Sequence, residues 1–156
     1  MQANGRLLCG LVIAATGLAA QDGRTSVWDG VYSASQAARG ELTYKRVCSY
    51  CHRDNLQGDE GPPLVGKRFT FQWLDRSVAD LVRAVEATMP DDAPGSLTRQ
   101  EYVDVIGFLL KANGYPEGPA DLPNDDQRLT SIVFTEKRSA LQPPVSAAAP
   151  RFPAAR

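Results

Sequence analysis

Apolar residues recur at helical spacing in three segments of the middle of the chain. In the second segment, for example, they occupy positions 78, 81, 82 and 85, which form one face of a helix. Each segment follows a residue that commonly caps helices, namely Ser33 or Ser35, then Ser77, then Thr98. No segment shows the two-residue alternation typical of a half-buried strand. The pattern predicts an all-α domain with three main helices and long loops at residues 53–76 and 89–97.

The beginning of the chain has a different character. Residues 1–20 combine Arg6 with an apolar stretch from Leu7 to Leu18, and small residues precede a cleavage position after Ala19, as in a secretory signal peptide. The stretch is shorter than the roughly 20 residues that span a membrane, although a buried helix or a retained anchor remains the alternative. We therefore expect export, cleavage, a periplasmic or secreted location, and no stable membrane insertion afterwards.

The other end of the chain is rich in Pro and Ala. Residues 143–156 contain few large apolar side chains that could offset the entropy lost on ordering. We expect the whole tail, residues 119–156, to be largely disordered or docked on the domain. Its apolar interruption at Ser131–Thr135 is either a short extended segment that docks on the domain or an exposed apolar spot, and both remain open. The globular domain is then expected at residues 27–118.

The charge and the rare residue types narrow the possible functions. The chain has 17 Lys and Arg against 18 Asp and Glu, which argues against a nucleic-acid binder with a basic surface. Without residues 1–20, the residues that could ligate a metal through nitrogen or sulfur are Cys48, Cys51, His52 and Met89. Three short helices also give a thin apolar core for about 90 residues, which a large, flat, apolar cofactor would complete.

The strongest chemical motif is Cys48-Ser-Tyr-Cys51-His52. Two thiols at this spacing can form thioether bonds with the two vinyl groups of one haem, and the adjoining histidine then faces the iron. A thioredoxin-type pair lacks its βαβ context here, and a zinc site lacks further Cys or His ligands. A plain disulfide would leave His52 unexplained. We predict one covalent haem c, attached through Cys48 and Cys51, with His52 as an axial ligand.

The second axial ligand cannot be histidine, because the mature chain contains no other. Met89 lies just before Pro90 in a loop rich in Pro, Gly and Asp. A lone methionine often only fills a core, but its thioether is also a natural soft ligand for haem iron. We therefore predict Met89 as the second axial ligand. Such ligation is typical of an electron carrier rather than of an oxygen-activating enzyme.

With these motifs, residues 27–118 resemble the single-haem class I cytochromes c. Gly40 and Tyr44 match the small and aromatic positions of the first helix of that family, and Val105 and Phe108 match the positions of the last helix that cross it. The resemblance implies the cytochrome c fold, in which three main helices and long loops surround one covalently bound haem.

Two loops extend the resemblance. Residues 61–66, Gly-Pro-Pro-Leu-Val-Gly, resemble the G-P-x-L-x-G loop of the family, which implies that the Pro62 carbonyl accepts a hydrogen bond from His52 and that Leu64 packs on the haem. Met89 with Pro90 resembles the loop of the distal ligand. Trp73 is expected either to donate its indole N–H to a haem propionate or to be an ordinary core residue.

The resemblance implies an electron-transfer protein that carries one electron at a time and turns over no substrate. Residues 28–32 and 113–116 are similar to bacterial secreted monohaem cytochromes, some of which accompany quinone-dependent dehydrogenases. The expected partners are redox proteins, such as a periplasmic dehydrogenase and a terminal oxidase or reductase. Two alternatives remain open, a cytochrome subunit of a larger dehydrogenase complex and a haem enzyme or gas-binding module with a labile Met89.

Overall fold

A computed structural model of the chain describes residues 23–137. The predicted signal peptide and the last part of the predicted tail lie outside the described residues. The elements in chain order are β1 (Thr25–Ser26), a 3-10 turn (Val27–Asp29), α1 (Ala34–Val47), α2 (Ser49–His52), α3 (Lys67–Trp73), α4 (Val78–Thr88), α5 (Arg99–Ala112), α6 (Asp126–Ser131) and β2 (Ile132–Val133).

The three predicted main helices are confirmed as α1, α4 and α5, together with their caps. The Ser33 hydroxyl accepts a hydrogen bond from the backbone N–H of Gln36 at the start of α1. Ser77 and Thr98 each form a complete capping box with the acidic residue three positions later. These side chains satisfy N–H groups that a helix start leaves unpaired, so the three helices begin where the sequence predicts.

The predicted long loop at residues 53–76 is only partly a loop, because its second half contains α3. The helix begins after Gly66, which supplies no side-chain cap, so the usual sequence sign of a helix start is absent. Phe69 and Trp73 lie one turn apart and are both buried. The helix is therefore stabilised by packing of this aromatic face rather than by local propensity.

Helices α1 and α5 cross at Gly40. A Cβ atom at this position would lie 1.9 Å from the backbone oxygen of Asp104, so only glycine permits this approach. One turn further along each helix, the rings of Tyr44 and Phe108 pack with their centroids 5.2 Å apart. Val105 is buried at the same crossing. The structure thus places together the four residues that the resemblance assigned to this contact.

The segment up to residue 137 is docked on the domain. Strands β1 and β2 pair in parallel, with Thr25 opposite Ile132. The backbone N–H of Phe134 donates to the Arg76 carbonyl, and the Phe134 carbonyl accepts from the N–H of Asp75. Ile132 and Phe134 are buried within this same chain, so their apolar surface is not available to a partner protein. None of the described helices has the combined length and apolar character of a membrane-spanning segment.

Replacing Phe134 with alanine is expected to lower the free energy of unfolding by about 3–5 kcal/mol, as for other buried Phe→Ala changes. The side chain is 1% exposed and packs against the rings of Phe69, Trp73 and Tyr115. Leu42→Ala is the control, since Leu42 is 72% exposed and its loss should change stability by no more than about 0.5 kcal/mol. Equal urea midpoints for the two variants would contradict the docked position of Phe134.

Candidate functional site

The Cys-x-x-Cys-His motif lies on one helical turn directly after α1. Cys48 joins α1 to α2, and the His52 N–H donates to the Cys48 carbonyl over 3.0 Å. Both Cys48 and Cys51 are free, half-buried thiols. The turn thus presents two unbonded thiols and one imidazole from the same short stretch of backbone.

The imidazole of His52 has a defined orientation. The ring is buried, and its Nδ1 lies 2.8 Å from the Pro62 carbonyl oxygen. A carbonyl oxygen can only accept, so Nδ1 carries the proton in this hydrogen bond. Nε2 therefore keeps its lone pair for a metal. The hydrogen bond at Nδ1 also makes Nε2 a stronger electron-pair donor to that metal. This is the contact that the resemblance implied for Pro62.

Gly61 leaves room for the histidine ring. A Cβ atom at this residue would lie 2.6 Å from Cε1 and 2.8 Å from Nδ1 of His52. The N–H of Gly61 also donates to the Cys51 carbonyl over 3.0 Å, so the loop is fastened to the motif by its backbone. Any larger residue at position 61 would displace the ring, and the need for glycine follows from this contact.

The end of α5 holds the loop that contains Leu64. The side-chain amide of Asn113 donates to the Leu64 carbonyl over 3.0 Å, and its oxygen accepts from the Gly66 N–H over 3.0 Å. Leu64 itself is half-buried and packs against the core. No sequence motif indicates this role for Asn113, because Leu64 and Gly66 lie nearly fifty residues earlier in the chain.

The loop that begins at Met89 is fixed to α5 by one buried tyrosine. Met89 is half-buried at the end of α4. The Tyr102 hydroxyl donates to the Met89 carbonyl over 2.8 Å and accepts from the Leu97 N–H over 3.5 Å, so it ties both ends of the loop. No sequence motif indicates this role for Tyr102.

The electrostatics of the two thiols differ from those of a redox dithiol. Burial raises the pKa of Cys48 to about 11. Burial also raises the pKa of Cys51, with further contributions from the carboxylates of Glu60, Asp91 and Asp92. A nucleophilic pair of the thioredoxin type needs a lowered thiol pKa. The same effect of Asp91 and Asp92 shows that the loop after Met89 lies close to the motif.

Trp73 occupies a core position. Its ring is buried and packs against Phe69 and Phe134, and the Arg76 guanidinium lies 4.6 Å from its centre. The core placement corresponds to one of the two expectations for this residue, and a hydrogen bond to a haem propionate stays a prediction.

The donor set fits a covalently attached haem. Two thiols lie one turn apart, the adjacent histidine directs Nδ1 to a carbonyl and keeps Nε2 free for iron, and Gly61 makes space for the ring. Among residues 23–137, no three His, Cys, Asp or Glu side chains form a group that could hold a metal ion by themselves.

Residues 35–109 match the family model described as cytochrome c oxidase, cbb3-type, subunit III. The match spans 75 of the 156 residues and includes α1 except its first residue, the Cys-x-x-Cys-His motif, the Met89 loop and most of α5. No curated protein and no solved structure matches the chain. The family match and the mostly helical architecture agree with the sequence prediction of an all-α cytochrome c fold. The match also supports a c-type cytochrome domain and haem-based electron transfer.

Proposed function

We propose that the protein is a periplasmic carrier of single electrons with one haem c, attached to Cys48 and Cys51 and ligated by His52 and Met89. The observation that carries the proposal is the hydrogen bond of 2.8 Å between His52 Nδ1 and the Pro62 carbonyl. It orients the imidazole for an iron at Nε2, directly beside two free thiols.

The residues of the chain hold this site rigid. The haem, when bound, supplies the one-electron couple, with an unchanged ligand set in both oxidation states. Asn113 fixes the loop around Leu64 through two backbone hydrogen bonds, and Tyr102 fixes the loop after Met89 through two more. Both anchors lie on or directly after α5, so one helix positions both sides of the site. Such rigidity keeps reorganisation small and suits electron transfer without bond chemistry.

The surface beside Cys51 supports a partner with a basic docking face. Tyr50 is 79% exposed on the haem-attachment turn. Glu60, Asp91 and Asp92 are exposed and lie near the Cys51 thiol. We propose a small, transient contact of complementary charge with a dehydrogenase and with a terminal oxidase or reductase. The oxidase named in the description of the matching family supports a partner of the second kind.

Mass spectrometry of the exported protein tests the proposal. We expect a chain that begins near residue 20 or 21 and carries the added mass of one haem, which acid–acetone extraction does not remove. Cys48→Ala combined with Cys51→Ala should lose this added mass, while Ser49→Ala in the same turn should keep it. Two unmodified thiols in the exported wild-type protein would refute the assignment.

Replacing Tyr102 with phenylalanine should make the Met89 loop more mobile without leaving a cavity in the core. The ring remains, but two hydrogen bonds are lost, which should cost about 1–3 kcal/mol of unfolding free energy. We expect the reduced protein to bind carbon monoxide faster than wild type, because the loop opens more often. Tyr32→Phe is the control, since it also removes a buried hydroxyl, which donates to the Tyr115 carbonyl away from this loop. Equal carbon monoxide rates in both variants would show that the Tyr102 contacts do not hold the ligand loop.

A further inference from the structure

A concave surface lies apart from the Cys48–His52 turn. It is a groove of about 410 Å³, and its apolar lining comes from four aromatic residues and one leucine, namely Trp28, Phe71, Tyr115, Phe134 and Leu74. None of the predicted haem attachment or iron-ligating residues lines it. Phe71 is 83% exposed, which is unusual for a phenylalanine and leaves a large apolar surface without a partner among the described residues.

The end of the described chain forms one wall of this groove. Thr135, Glu136 and Lys137 all line it. The Trp28 indole N–H donates to the Thr135 carbonyl over 2.9 Å, and the Lys137 ammonium lies 5.2 Å from the centre of the Trp28 ring. The backbone at residues 135–137 therefore contacts Trp28, and residues 138–156 continue from the rim of the groove.

The composition of residues 138–156 suits an aromatic groove. The segment contains Pro143, Pro144, Pro150 and Pro153, and its large apolar side chains include Phe152. Proline-rich segments favour the extended polyproline II conformation, and such segments dock on grooves lined by Trp and Tyr. In this groove the rings of Trp28 and Tyr115 pack with their centroids 4.5 Å apart.

We propose that the proline-rich segment 138–156 of this same chain binds in the groove and covers Phe71. The direct covalent connection at Lys137 gives the segment an effective concentration of about 1 mM, so even weak contacts suffice. At this concentration a segment with a dissociation constant of about 0.2 mM is bound for about five sixths of the time.

The charges of the segment and of the groove indicate that apolar contacts, not ion pairs, hold the segment in place. Residues 138–156 contain three arginines and no acidic residue. The groove carries Lys67 and Lys137 against a single Glu136. The lysines repel the segment, so added salt should strengthen its binding. An acidic peptide of another protein in the same groove would instead be released by salt.

Limited proteolysis of the full-length, haem-loaded chain tests this proposal. Trypsin cleaves after Arg151, and this bond is open to the protease only while the segment is released. Cleavage tracks the released population, so a segment bound for five sixths of the time is cut about sixfold more slowly than a free one. We expect Phe71→Ala to speed the cleavage about sixfold, and Pro143→Ser combined with Pro144→Ser to do the same. Leu42→Ala, which removes an apolar side chain of similar exposure outside the groove, should leave the rate unchanged.

Two results of this experiment would overturn the proposal. Equal cleavage rates in wild type, Phe71→Ala and the double proline variant would overturn the proposal. Protection that increases with protein concentration would overturn it too, because it would indicate a segment exchanged between two copies. The readout is a cleavage rate and does not depend on the ligands of the iron, so it fails or succeeds independently of the electron-carrier assignment.

Discussion

Replacing Gly40 with alanine is expected to destabilise the domain by about 3 kcal/mol, at the upper end of the usual cost of overpacking. The new methyl group would lie 1.9 Å from the Asp104 oxygen, 2.4 Å from its carbonyl carbon and 2.9 Å from the Val105 nitrogen. All three atoms belong to the backbone of α5, which cannot move aside as a flexible side chain can. The two helices would have to separate, and the Tyr44–Phe108 contact would open with them.

Gly107→Ala is the matched control for this prediction. Gly107 also lies within a helix, so both substitutions gain about 1 kcal/mol of helix propensity. The three atoms nearest to a Cβ atom at Gly107 all belong to the Gln36 side chain, the closest at 3.3 Å, so a shift of a few tenths of an ångström in that side chain accommodates the methyl group and no backbone has to move. We expect its unfolding free energy to stay within about 1 kcal/mol of wild type, measured by urea denaturation of the haem-loaded protein. If the two variants are equally stable, backbone contact at the crossing is not what requires Gly40.

The main helices could be predicted because their determinants are local. Ser77 and Thr98 are followed three residues later by an acid, and these pairs form the observed capping boxes. Helix α3 has no such cap, and its formation depends on the burial of Phe69 and Trp73 against distant parts of the chain. Local signals therefore predict the three main helices, whereas α3, which tertiary packing stabilises, was missed. Helix α6 was missed as well, although the Asp125 side chain caps it.

The same distinction applies to the candidate site. Cys48, Cys51 and His52 are adjacent in sequence, and their spacing alone indicated a haem. The roles of Tyr102 and Asn113 depend on hydrogen bonds to backbone carbonyls 13 and 49 residues away. Backbone carbonyls occur at every residue, so no sequence pattern identifies which of them a side chain will reach.

The apolar cluster near residue 134 could not be assigned from its sequence for a related reason. Ile132 and Phe134 were equally compatible with an exposed spot and with a docked strand. Their burial depends on the aromatic face of α3, which was itself missed, and on the pairing of β2 with β1, which comes from the start of the described chain. Because α3 was not predicted, the burial of Ile132 and Phe134 against it could not be predicted either.

Replacing Met89 with alanine is expected to open the iron to carbon monoxide. In the proposed electron carrier the sulfur of Met89 occupies the second axial position, so the reduced wild-type protein should bind carbon monoxide poorly. A competing bond worth about 3 kcal/mol must first be broken, and its removal should raise the affinity for carbon monoxide about 100-fold. The reduction potential should fall in the same variant, because a thioether ligand raises it.

Thr88→Ala is the control for the Met89 variant, because it changes the adjacent exposed residue and removes only a hydrogen bond to the Ala84 carbonyl. It should bind carbon monoxide as wild type does. An unchanged affinity in Met89→Ala would show that Met89 is not the ligand. Rapid binding by the reduced wild-type protein would show an open iron and favour the gas-binding alternative. In either case the hydrogen bond from His52 to Pro62 would still account for the other axial position, because it forms independently of the Met89 loop.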